Sequence, residues 1–464
     1  MYENGLFIFR RDFRIVDNIG LIQFSKQCKN LYCCFIFTPE QAGKSNAYRS
    51  TNAIQFMIES LEDLRNEIRG HGGELYLFHG TNKSVLSVII KKMNIHCLGY
   101  NKDYTPYAVK RDLEIKQLCD KHSIECLSFS DYYLFEPGTV VTGQGGFYKK
   151  YTPFLNEVMN NNNNKVLPCN GHRVSNFAKR AFPDTITIND AFRLFISHKN
   201  PDILVHGGRR EGILRLRKAL TDQSHYAENR DHLTYNTTFL SAYIKFGCVS
   251  IREVYHAFVK KYGKSSGLIR ELIWREFFAS VLYGYPEVVG HSYQPRYKSI
   301  HWNNNLLHFN KWKRGITGYP IVDCGMRQMN ATGYMHNRLR MMTASFLIKV
   351  LLIDWRWGEK YFAQQLTDYD IASNNGNWQG ISGTGVDMKP YFRDMNPYIQ
   401  SVKFDKNAEF IKKWIPELAG VSPGDIHKWN ESWSKTEYAD VQYPEPIVNY
   451  YDQKEKMLAL YKNA

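Results

Sequence analysis

Over the first 130 residues, short apolar runs alternate with stretches whose apolar positions recur at helical spacing. The runs Leu6–Phe9, Leu31–Phe37, Leu75–Phe78, Cys97–Tyr100 and Glu125–Phe129 predict strands. Between the second and third, Ile54, Met57, Ile58, Leu61, Leu64 and Ile68 share one helical face, and Gly70, Gly72 and Gly73 close that helix. Strands and helices that alternate in this way predict a parallel sheet covered by helices on both faces. From Gly207 onward the helical period takes over, in Gly212–Leu220, Ile251–Tyr262, Leu268–Leu282, Tyr319–Ala331, His336–Leu352 and Tyr361–Leu366. The expected organisation is an α/β domain over 1–130, a connector over 131–205 and an all-α domain over 206–464. The polar run Asn160–Asn164 within the connector is expected to be a mobile loop.

A formal charge of +15 favours a polyanionic partner, either nucleic acid or an acidic membrane surface. Nine scattered cysteines include no CxxC pair and no Cys/His spacing suited to zinc. They predict reduced, mostly buried thiols in a soluble intracellular protein that uses no metal. No run of 18 apolar residues predicts a membrane span, and the N-terminus lacks the apolar core of a signal peptide. FRRDFR follows the first strand where a dinucleotide-binding fold would carry GxGxxG. Arg10, Arg11 and Arg14 there read as solvated loop charges, with anion binding as the alternative.

All nine tryptophans lie after residue 273, among them Trp274, Trp302, Trp312, Trp355 and Trp378. Indole stacks on flat ligands and is the side chain most easily oxidised by one electron, but taken alone such a bias reads first as core filling. Four segments add chemistry. Thr237, Thr238 and Ser241 open a helix and offer hydroxyls and free N–H groups suited to phosphate. Glu271 and Trp274 stand at i and i+3, which suits a carboxylate and a ring presented to one base. Asn337 and Met341 stand at i and i+4, flanked by Arg338 and Arg340. The stretch Asp368–Gln379 holds two Asp, three Asn and a Gly before Trp378; it reads as poor helix and poor core, hence as a ligand-binding stretch.

Together these segments resemble the photolyase/cryptochrome family, closest to class I cyclobutane pyrimidine dimer photolyases. The resemblance runs from FRRDFR to FIKKWIPEL and is densest through TGYPIVD, YMHNRLRMMTASFLIKVLLIDWRWG and ASNNGNWQG. It implies a Rossmann-like parallel-sheet antenna domain, then a helical domain that holds FAD, active when fully reduced. It further implies that Thr237, Thr238, Leu240 and Ser241 grip the FAD phosphates with Tyr226 nearby. Arg340 and Asp368 would pair beside the ring, Asp370 would touch its edge and Asn374 would face its N5. Trp378, Trp355 and Trp302 would pass electrons inward from the surface. Glu271, Trp274, Asn337 and Met341 would hold a flipped-out dimer, and Arg338 and Arg393 the DNA backbone. The activity implied is light-driven electron donation from excited reduced flavin, which splits the dimer in damaged DNA. The protein is expected to act as a monomer, wherever the DNA is.

Two positions depart from the pattern. Gly380 stands where class I enzymes commonly carry a second Trp. Ala108 aligns with a Glu of pterin-binding relatives, so a folate antenna is not supported, and a deazaflavin, another flavin or no second chromophore remain. A cryptochrome-type photoreceptor without repair is the alternative, and a (6-4) photolyase ranks below it.

Overall fold

The protein is described by a computed structural model over residues 1–161, 163–387 and 390–464. The five apolar runs form β1 (Tyr2–Ile8), β2 (Cys28–Phe37), β3 (Leu75–His79), β4 (Cys97–Asn101) and β5 (Glu125–Phe129). They assemble as β3-β2-β1-β4-β5, with every neighbouring pair parallel. Strict alternation explains why each run is apolar almost throughout. Phe7, Cys33, Phe35, Leu75 and Leu77 face one core cluster, while Leu6, Ile8, Cys34, Ile36 and Phe78 face another.

The cluster on the first face does not stop at the domain. The Thr51–Gly70 helix, capped by Ser50, packs there and brings Phe56 to 5.1 Å from Tyr243 and 5.2 Å from Phe246, both in the helical half. Phe13 stacks on Phe246 at 6.0 Å. The connector follows the sheet: Phe177 bridges to Leu31 and Ile186 to Leu77, and it contributes the helices Tyr151–Asn160 and Ile188–Phe195. Asn160 ends the first of these helices; of the Asn-rich run, Asn162 lies outside the described residues.

FRRDFR corrects the reading of solvated charges. Arg14 pairs with Asp131 at 2.6 Å, and Arg252 pairs with Asp131 at 2.8 Å and with Asp17 at 3.0 Å. All four side chains are at most 3% exposed. Ser250 also donates to Asp17. Arg10 pairs with Asp112 at 2.8 Å and lies over the Tyr100 ring. Burial alone would keep Asp131 protonated, but Arg14, Arg252 and the Ile19 N–H hold its carboxyl below the usual range.

In the helical half, Ile251–Tyr262 forms as expected, and Leu268–Leu282 extends to Gly267–Gly284. The expected helix His336–Leu352 changes character midway: Asn337–Ser345 is α-helical and Phe346–Val350 is a π turn. A second core cluster gathers Trp312, Trp355 and Trp378, while Trp302 is half-buried at its edge. Among the described residues, no helix is long and apolar enough to cross a membrane. Eight of the nine free cysteines are buried or half-buried, and Cys169 is exposed.

Removing one partner of a buried ion network strands the others without compensation. Arg252→Met should therefore lower the stability read from urea denaturation by about 3–5 kcal/mol. Lys29→Ala, which breaks an exposed pair with Glu3, should leave the midpoint unchanged.

Candidate active site

The stretch Asp368–Gln379 is the first correction at the site, because it is helical from Ile371 to Ser382. Asp370 caps it by accepting the Ser373 N–H at 3.1 Å. The polar side chains do not compete with the helix, because they bond elsewhere. Asn375 donates to the Val288 carbonyl at 3.2 Å, and Gln379 donates to Val288 at 3.0 Å and His291 at 3.1 Å. Gly376 is required, since a Cβ there would stand 2.1 Å from the Phe278 ring. Low helix propensity is overruled by tertiary hydrogen bonds and one close approach.

This helix, the Asn337–Ser345 helix and the Trp355–Gln365 helix enclose a cavity of about 110 Å³. Its walls include Asn337, Arg340, Met341, Asp368, Asn374 and Trp378, with Asp370 at one end. Sites that enclose a whole small-molecule ligand measure about 300–1,000 Å³, so this cavity by itself accommodates only part of one.

Arg340 pairs with Asp368 at 2.9 Å and also donates to the Met335 carbonyl. Ser241 donates to Asp368 at 2.7 Å, which ties the Thr237–Ser241 segment to the cavity. Thr237 and Tyr334 share a hydrogen bond at 3.3 Å, and Arg340 lies over the Tyr334 ring. Thr238 accepts the Leu240 N–H at 3.4 Å. The second oxygen of Asp368 is buried without a partner among the described residues, so the cavity retains an unused acceptor. Asn374 donates to the Glu359 carbonyl at 3.1 Å, and burial pushes the Glu359 carboxyl up to about 7. Polar side chains line the cavity together with Phe362, Trp378 and Ile381, a mixed lining whose donors, acceptors and apolar surface suit the chemistry of an isoalloxazine ring.

Trp378 touches Phe362 edge-on at 4.9 Å and Trp312 at 6.4 Å, while the Trp312 N–H donates to the Thr343 carbonyl. Trp355 is buried in the same cluster, and Trp302 packs edge-on against Tyr461 at 6.0 Å.

The remaining expected residues lie outside the cavity lining. Glu271 pairs with Arg230 at 2.6 Å, and burial raises its carboxyl against the pull of Arg230. Arg230 in turn lies over Tyr226. The next residue, Asp231, pairs with Arg338 at 2.6 Å, and Arg338 also sits over the Phe404 ring. Trp274 is stacked on Tyr151 at 3.6 Å and 6°. Arg393 is exposed, and its carbonyl accepts from Lys349. Asn337 and Met341 meet at 4.0 Å as their spacing requires. Arg230, Asp231, Tyr151 and Glu359 touch the expected residues without having been singled out; only the i+4 spacing of Glu359 from Trp355 carried any local signal.

An α/β domain joined to a helical domain with a polar-ended, aromatic-walled cavity is built to hold a flat cofactor between helices. The comparisons agree. A model of the FAD binding domain of DNA photolyase matches residues 268–463, and a DNA photolyase model matches residues 6–170. The chain is 35% identical to a deoxyribodipyrimidine photo-lyase of Buchnera aphidicola subsp. Baizongia pistaciae, over 99% of this chain and 98% of the relative. Among solved structures, it resembles an archaeal photolyase from Sulfolobus tokodaii that holds two FAD molecules (39% identity, TM-score 0.88, 99% and 100% covered). It also resembles a Synechocystis cryptochrome (25% identity, TM-score 0.89, 99% of both chains covered). The chain belongs to the DNA photolyase family. Among the described residues, no cluster of His, Cys, Asp or Glu could hold a metal ion.

Glu359 supplies a pH signature. The folded protein holds its proton up to about 7, whereas an unfolded glutamate releases it near about 4.3. Stability therefore falls as pH rises across that window. Glu359→Gln should lie close to the native thermal midpoint at pH 4.5 and exceed it at pH 8, by about 3–4 kcal/mol of stability.

Proposed function

We propose that the chain is a deoxyribodipyrimidine photo-lyase, which splits cyclobutane pyrimidine dimers in DNA by light-driven electron transfer from reduced FAD. The observation that carries this reading is one cavity lined by Asn374, the Arg340–Asp368 pair and Trp378, which we assign to the cofactor, together with Asn337 and Met341, which we assign to the lesion. The relatives named photo-lyase match end to end. When bound, reduced FAD supplies the photoexcited electron. The chain's own residues bind and orient. Thr237, Thr238, Leu240 and Ser241 would hold the FAD phosphates with Tyr226 nearby, and Arg340, Asp368, Asp370 and Asn374 would hold its ring. Trp378, Trp355 and Trp302 would serve as one-electron donors toward it. Glu271 and Trp274 receive the flipped bases, so Arg230 yields its partner when DNA binds. Arg338 and Arg393 take backbone phosphates, and the net charge of +15 favours that encounter.

A second chromophore fits the sheet. Strand order reverses between β1 and β4, the place where doubly wound sheets bind ligands. There Arg10 and Arg111 each keep one buried guanidinium nitrogen without a partner. Two such donors suit a phosphate-bearing chromophore, and the Sulfolobus photolyase holds a second FAD; a flavin nucleotide is the reading for this chain. The alternative, a cryptochrome-type photoreceptor, draws on Gly380 and on the Synechocystis likeness.

Blue light on the reduced protein with a dimer-containing oligonucleotide should remove the dimers; their persistence would favour the photoreceptor. A Cβ at Gly380 meets nothing within 4 Å, so a side chain can start there without a clash. Gly380→Trp should tighten binding of dimer-containing DNA by about 1–3 kcal/mol, measured by fluorescence anisotropy. Arg393→Gln should flatten the slope of log affinity against log salt by about 0.9.

A further inference from the structure

Arg11 belongs to the loop that follows β1, yet its guanidinium reaches into the helical half. One nitrogen stands 3.1 Å from Asp370; the other stands 2.8 Å from Asp103 and donates to the Tyr133 hydroxyl at 3.0 Å. The group lies over the Tyr132 and Tyr133 rings at 4.7 and 5.7 Å. The Arg11 and Asp370 side chains are 13% and 15% exposed, so solvent screens the pair weakly. Asp370 also caps the helix that carries Asn374 and Trp378, and it lines the cavity.

We propose that Arg11 is a positioning residue for the bound flavin: by cancelling the charge of Asp370 it lets negative charge settle on a ring in the adjoining cavity, so the cofactor's potential depends on a side chain of the other domain. This rests on the FAD site proposed above. A bare carboxylate on the cavity wall would repel the extra charge of a reduced ring. Burial opposes ionisation of Asp370, yet Arg11 first, then Arg275, the Ser373 N–H and Lys245, hold it below the usual carboxylate range. Arg11 shares its charge between Asp103 and Asp370, but it is the cation in direct contact with Asp370. Arg275 is engaged by Glu276 at 2.8 Å, and Arg340 by Asp368 at 2.9 Å. Burial, with Arg11 as its nearest like charge, pushes the Lys245 ammonium down to about 8.

The test is a redox titration of the FAD-bound protein, followed by absorbance, for the native chain and its variants. Arg11→Met should shift the reduced:oxidised ratio at fixed potential about tenfold toward oxidised, about 30 mV for a two-electron couple. Asp370→Asn keeps a good helix cap and should shift the ratio the other way. The double variant should return close to the native value, which a purely structural role for Arg11 would not produce. An unshifted Arg11→Met, or a double variant that keeps the whole shift, overturns the proposal. If Arg11→Met does not accumulate as folded protein, Asp370→Asn alone decides: a ratio no different from native overturns the proposal. A native preparation without flavin overturns the site itself, whereas normal flavin content with unmoved ratios overturns only the role of Arg11.

Discussion

Four buried charges hold the two halves of this chain in one register. Arg14 and Asp17 follow β1, Asp131 follows β5, and Arg252 stands at the start of a helix in the other domain. Each carboxylate answers to arginines it cannot exchange for water, so the domains meet in one orientation or leave charges unpaired in a dry interface. Such networks are weak evidence for stability, since apolar replacements often perform as well, but they discriminate strongly against misplacement. The apolar contacts around them, Phe13 and Phe56 on Phe246, would tolerate sliding; the ion network does not.

Fixed docking matters because the cavity is assembled from distant segments. The helix Ile371–Ser382 is capped by Asp370, whose charge partner, Arg11, is 359 residues earlier in the sequence. The polar and glycine residues of that helix are stable there only because Val288, His291 and Phe278 meet them from neighbouring segments. The site is thus a property of the packed whole: the local sequence supplies donors and acceptors, and the tertiary structure decides which remain free for a ligand.

The strands were legible because both sheet faces are buried, which makes each run apolar over its length; their inner limits agree with the structure to within a few residues, while β1 and β2 begin earlier than the apolar signal does. The Arg340–Asp368 pair and the Asn337–Met341 contact follow from motif and spacing, and both are present. Two readings went astray for physical reasons. The arginines of FRRDFR looked solvated because their acidic partners are remote in sequence, and local charge counting cannot see Asp131 or Asp370. Asp368–Gln379 looked non-helical because propensity averages over exposed contexts, whereas here side-chain amides find carbonyls on another segment.

In the cavity, Arg340, Asp368 and Asn374 are bonded within the helical half, and Asp370 is bonded across to Arg11. At the rim, Glu271 is held by Arg230, Arg338 by Asp231, and Trp274 by Tyr151. Both ion pairs are part-exposed, so solvent screens them and exchanging a partner there costs little. The cavity and its rim therefore differ in kind: buried bonds fix one, and contacts that solvent already reaches hold the other.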